Sequence, residues 1–111
     1  MIDGIYTAYI TGVAGQGMAM FVFKDGKIGG ADMIGIVFSG EYIIQNDTLI
    51  GKVKYVMPAN SESITGVVFE EKSNLLEVPI NLPIQLDPAE TYQFTTPIGI
   101  VNAKFVKNTE L

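Results

Sequence analysis

Residues 17 to 32 read Gly-Met-Ala-Met-Phe-Val-Phe, then Lys-Asp-Gly-Lys, then Ile-Gly-Gly-Ala-Asp. An apolar strand runs into a turn, and a second strand leaves it. Asp25-Gly26 is the turn signal, because glycine takes the positive φ of a two-residue hairpin loop without steric penalty. On the first arm Met18, Met20 and Val22 fall on one face, and Ala19, Phe21 and Phe23 on the other. A strand apolar on both faces is expected at the centre of a sheet, with something covering each side.

The same pattern extends in both directions. Residues 4 to 11 predict a strand that puts Tyr6, Ala8 and Ile10 on one face, with residues 12 to 16 as the connection. Residues 27 to 31 predict a short strand whose Gly29-Gly30 pair suggests a bend or bulge. Residues 35 to 44 place Ile36, Phe38, Gly40, Tyr42 and Ile44 together, Asn46-Asp47 turns the chain, and residues 48 to 57 return. After a polar loop at 58 to 63, residues 64 to 70 predict a sixth strand. From Val78 to Asp87 the alternation is strict, with Pro79 and Pro83 on the same side. Both prolines therefore lack a donor toward the same neighbour, so this segment can pair on one side only and is either an edge strand or an extended, partly unpaired segment. Tyr92 and Phe94 mark a short strand, and residues 98 to 107 form the last.

No segment carries a 3.6-residue apolar period, so at most one short helix is expected, at residues 88 to 90. About eight short strands with glycine-rich bends predict one all-β domain spanning residues 1 to 111, an antiparallel barrel or closed sandwich. At this length roughly 65% of the unfolded surface can be buried, enough for one core. Several strands are apolar on both faces, and a barrel interior accepts only one of them. The outer residues then call for self-association.

Composition removes several functions. The chain has no Cys and no His, so thiol chemistry, disulfides and the commonest general base are absent. The net charge is −5 and every cation is Lys, which disfavours nucleic-acid binding. Residues 5 to 23 are uncharged, but Thr11, Gly12, Gly15, Gln16 and Gly17 interrupt them, so they read as two strands and not a membrane span. Met1-Ile2-Asp3 lacks the basic start of a signal peptide, and with no Cys a cytoplasmic location is expected. No cofactor, metal site or catalytic constellation is expected. Gly15-x-Gly17 reads as a turn and not a phosphate loop, since the spacing fails at Met20. Asp32 reads as a turn acceptor that could sit near a barrel mouth.

Candidate interior residues are Tyr6, Phe21, Phe23, Phe38 and Tyr42, followed by Tyr55, Phe69, Tyr92, Phe94 and Phe105. They serve either as packed core or as the lining of a small apolar-ligand cavity.

Asp3-Gly4-Ile5-Tyr6, Gly15-Gln16-Gly17, Lys24-Asp25-Gly26-Lys27, Gly29-Gly30-Ala31-Asp32 and Gly40 follow in order, and Asn102-Ala103-Lys104-Phe105 comes near the end. This series resembles the GrlR-like family of negative regulators of type III secretion, most closely over residues 3 to 42. The resemblance implies an eight-stranded, lipocalin-like (calycin-type) β-barrel, a homodimer, and non-enzymatic regulation by binding a protein such as a transcriptional activator. It also implies an interior suited to a lipid-like ligand. The family's acidic binding run falls here on Ile44, Gln45, Asn46 and Asp47, of which Asp47 alone is acidic.

Overall fold

The computed structural model describes residues 2–111. The strands are β1 (Gly4–Gly12), β2 (Gly15–Lys24), β3 (Lys27–Asp32), β4 (Val37–Gln45) and β5 (Thr48–Tyr55), then β6 (Ser61–Glu62), β7 (Val68–Phe69), β8 (Leu76–Pro83), β9 (Tyr92–Thr96) and β10 (Gly99–Glu110). Eight of them form one antiparallel sheet in the order β8-β5-β4-β3-β2-β1-β10-β9. The two edges, β8 and β9, lie side by side without a shared ladder, so the sheet curls into a nearly closed barrel. None of the described residues is helical, and no helix is long and apolar enough to cross a membrane.

Turn chemistry sets the register. Asp25 and Gly26 take φ 49° and 79°, and Asn46 and Asp47 take 53° and 60°. Both are two-residue hairpin loops whose twist matches that of the strands they join. Each barrel strand then alternates. Inward residues such as Tyr6, Ala8, Phe21, Phe23, Leu49 and Phe105 are buried, and their chain neighbours face out. β8 follows the proline argument. Val78, Ile80 and Leu82 are buried, Pro79 and Pro83 are exposed, and among the described residues β5 is the strand's only ladder partner.

Three expectations need correction. Residues 64 to 70 do not form a barrel strand; β6 and β7 are two-residue strands paired with each other, in an excursion between β5 and β8. Too few of its apolar side chains alternate to support a longer ladder. Gly29 and Gly30 make no bulge, because β2–β3–β4 pairing runs through them in unbroken register. The bulge lies instead on β10, where Ile5 pairs with Thr109 and Tyr6 with Lys107, leaving Asn108 between them to accept a 3.0 Å bond from the Thr7 hydroxyl. The bound of at most one short helix holds, and residues 88 to 90 make a turn in which the amides of Ala89 and Glu90 both donate to Asp87. Finally, β2 is central to the sheet but only one of its faces is covered. Met18, Met20 and Val22 lie on the outer surface.

Candidate functional site

The barrel interior is filled unevenly, and the site is what the filling leaves open. At one end large side chains close the lumen. Tyr6 stacks edge-on against Phe23 at 5.4 Å, and Phe23 meets Tyr42 at 5.9 Å. Leu49, Leu82 and Ile2 pack around them. The phenols are held in place, with the Tyr6 hydroxyl donating to the Ile2 carbonyl at 2.6 Å and the Tyr42 hydroxyl to Asp3 Oδ1 at 2.9 Å. Burial pushes both hydroxyls above the ordinary tyrosine pKa, and the Asp3 carboxylate raises that of Tyr42 further.

Toward the other end the inward positions become small on one wall. Ala8 of β1 pairs with Ala19 of β2, and Ile10 pairs with Ala103 of β10 and Gly17 of β2. All three alanines are buried. Aromatic rings supply much of the remaining lining, from Phe21 and Phe105 on the same strands as Ala19 and Ala103 and from Phe38, Tyr55 and Phe94 on β4, β5 and β9. Phe21 and Phe38 lie 5.2 Å apart, Phe38 and Tyr55 5.3 Å, and Phe94 and Phe105 close the flank at 6.2 Å. Where small inward residues take the place of large ones they leave an apolar cavity of about 190 Å³. That exceeds the roughly 150 Å³ of an engineered cavity that takes up benzene, and falls below the 300 Å³ at which pockets for drug-sized ligands begin.

The excursion between β5 and β8 lies across this end. Its tip, residues 64 to 66, is wedged between two hairpin turns. The Ala14 amide donates to the Ile64 carbonyl at 2.8 Å, and Thr65 lies against Gly99. A side chain on Gly12 would meet the Ile64 carbonyl oxygen at 2.5 Å, so glycine is required there for the approach. The base is clamped by Ser73, whose Oγ accepts from the Met57 amide at 2.9 Å and whose own amide donates to the Met57 carbonyl at 3.0 Å. Glu62, Ser63, Ile64 and Thr65 thereby become cavity wall.

Polar groups gather at the same end. Asp32 lines the cavity, and its Oδ1 accepts the amides of Ile34 and Ile36 at 3.0 and 2.9 Å. Thr96 lines it too, with its hydroxyl donating to the Gly99 carbonyl at 2.7 Å. Burial pushes the Tyr55 hydroxyl up, and the neighbouring Thr96 side chain offsets part of that rise. Among the described residues no cluster of three or more metal-ligating side chains occurs.

Of the interior candidates, Phe21, Phe23, Phe38, Tyr55, Phe94 and Phe105 line the cavity. Tyr6 and Tyr42 belong to the closed end, and Tyr92 packs against Phe105 behind the wall. Phe69 sits on β7, outside the lining. Asp47 is exposed in the β4–β5 turn, where its carbonyl accepts the Ile84 amide at 3.3 Å. The residues that sequence reasoning overlooked are the alanines. Small side chains at inward positions of three adjacent strands are the signal, and it is readable only once the strands are paired. No family model matches this chain, and no curated protein matches it.

Proposed function

We propose that this chain is a non-enzymatic binding protein whose barrel holds a small apolar ligand in the cavity lined by these alanines and aromatic rings. The observation that carries this reading is the 190 Å³ space beside a polar mouth, in a barrel whose other end is fully packed. A stable interior normally fills such a volume with side chains, so a space left open at this size supports uptake of a molecule of about one aromatic ring, smaller than a drug-sized ligand. Binding and not catalysis is supported by the polar lining, since Asp32 Oδ1 and the Thr96 hydroxyl are already used to hold turns. The test is uptake of toluene followed by NMR shifts of the Phe38 and Tyr55 rings. Ala8→Leu should fill the space and abolish uptake while leaving the fold intact. Wild-type protein that does not take up toluene overturns the reading.

A second reading, regulation through protein binding, is favoured by the outer face. Val106, Thr7, Met20, Ala31 and Val37 form one cross-strand row over five strands, and Tyr9 with Met18 lies beside it. No charge interrupts the row, and Met20 and Val37 are 50% and 69% exposed. Apolar surface of this kind is covered in homodimers or by a partner. A cytoplasmic homodimer engaging a protein such as a transcriptional activator is the form implied by resemblance to GrlR-like regulators. Light scattering at tens of micromolar should give a dimeric mass, and Met20→Glu should give a monomer; a monomeric wild type removes the dimer.

A further inference from the structure

The cavity's charge is one-signed, and that restricts what it can hold. Among the described residues the charged side chains lining it are Asp32 and Glu62, and no lysine reaches it. We propose that the site takes an uncharged or cation-headed molecule of about one aromatic ring's bulk, and rejects carboxylates. This rests on the ligand-binding reading and narrows it.

An anionic head entering this end would shed its water without meeting a cation, and burying an unpaired charge is strongly unfavourable. It would also approach two carboxylates, in a protein whose net charge of −5 already repels anions. A hydroxyl or ammonium head meets the opposite situation. Asp32 spends Oδ1 on two backbone amides, which fixes the carboxylate, and Oδ2 makes no hydrogen bond to the described residues. A fixed acceptor with a free oxygen beside an apolar space suits a ligand with one donor and one ring. Ile34, which also lines the cavity, is 63% exposed, so solvent reaches this side of the mouth.

A matched series tests it: toluene, benzyl alcohol, benzylamine and benzoate, titrated by ligand-observed NMR at about pH 7, where the amine is cationic and the acid anionic. Toluene, benzyl alcohol and benzylamine should bind, and benzoate should bind at least roughly tenfold more weakly than benzyl alcohol, the scale of a nearby like charge at a protein surface. Glu62→Gln, on an exposed position, and Asp32→Asn, which keeps an Oδ1 acceptor, should each narrow that gap, as should added salt. Benzoate binding as tightly as benzyl alcohol, with toluene bound, overturns this proposal alone. Failure of toluene to bind overturns the cavity reading, and this proposal with it.

Discussion

Phe21 and Phe38 meet across Gly30. The three residues stand in one cross-strand row on β2, β3 and β4, and the two rings lie 5.2 Å apart over the glycine. A side chain on Gly30 would collide with the Met20 carbonyl oxygen and come within 2.8 Å of the Phe21 ring. Gly30→Ala is therefore expected to cost about 1 to 3 kcal/mol, the usual penalty of overpacking. A denaturant midpoint equal to that of the wild type would show that the row has slack.

Phe21 itself anchors the aromatic wall. Phe21→Ala should destabilise by about 3 to 5 kcal/mol, a large share of the stability of a domain this size. Phe21→Asp should leave little folded protein at ambient temperature, because it places a carboxylate where nothing pairs with it. Retention of the wild-type melting temperature by the Asp variant would refute the inward placement.

The closed end depends on two phenols. Tyr6→Phe strands the buried Ile2 carbonyl and should cost about 1 to 3 kcal/mol. Tyr42→Phe should cost less, since Asp3 is partly exposed and retains Lys24 at 4.0 Å. Chemical unfolding of the two variants side by side gives the order, and a larger loss for Tyr42→Phe would reverse this ranking.

How much of this was legible in the sequence follows from which interactions are local. Asp25-Gly26 and Asn46-Asp47 declare their turns, and alternation then sorts each strand into two faces, but which face points inward is set by the pairing and not by the pattern. Pro79 and Pro83 declare a segment that pairs on one side only, because a missing donor acts wherever the strand lies. The excursion was misread because Ile64, Val67, Val68 and Phe69 look like strand residues until the turns they wedge against are known. Gly29-Gly30 suggests a bend or bulge, since a glycine demanded by the ring and carbonyl of the adjacent strand looks the same in sequence as one demanded by a bend. The cavity lay furthest from view: Ala8, Ala19 and Ala103 are unremarkable singly and become a wall only in register.

Alkaline pH should unfold the protein through its tyrosines. Burial, the largest cause for each, raises Tyr6, Tyr42 and Tyr55 above the ordinary value of 10.0. The unfolded chain releases these protons near that value while the folded chain still holds them. Their contribution is thus complete below it and is lost as pH rises through the higher folded values. The melting temperature should fall as pH rises above about 10, and Tyr55→Phe should make the fall shallower. An unchanged slope in that variant would remove Tyr55 from the account.

The plug can be addressed through Gly12. Gly12→Val pushes on the Ile64 carbonyl and should lift the excursion while sparing the barrel ladders. Limited proteolysis should then cut within residues 58 to 75 well before the wild type is cut, with the barrel surviving as nicked halves. Equal cleavage rates would mean that the tip is held elsewhere.

The pairing of β1 with β10 matters when the chain is being made. Thr7 leaves the ribosome long before Val106, its ladder partner, has been synthesised. Until β10 has emerged from the ribosome β1 has one open flank and β9 has no ladder partner, so the barrel cannot close before then. Closure awaits emergence of the distal strand, and the exposed Met18, Met20 and Val22 of β2 are on display throughout that interval. A chaperone that shields nascent apolar strands is therefore expected to raise the yield of folded protein more than slower growth alone.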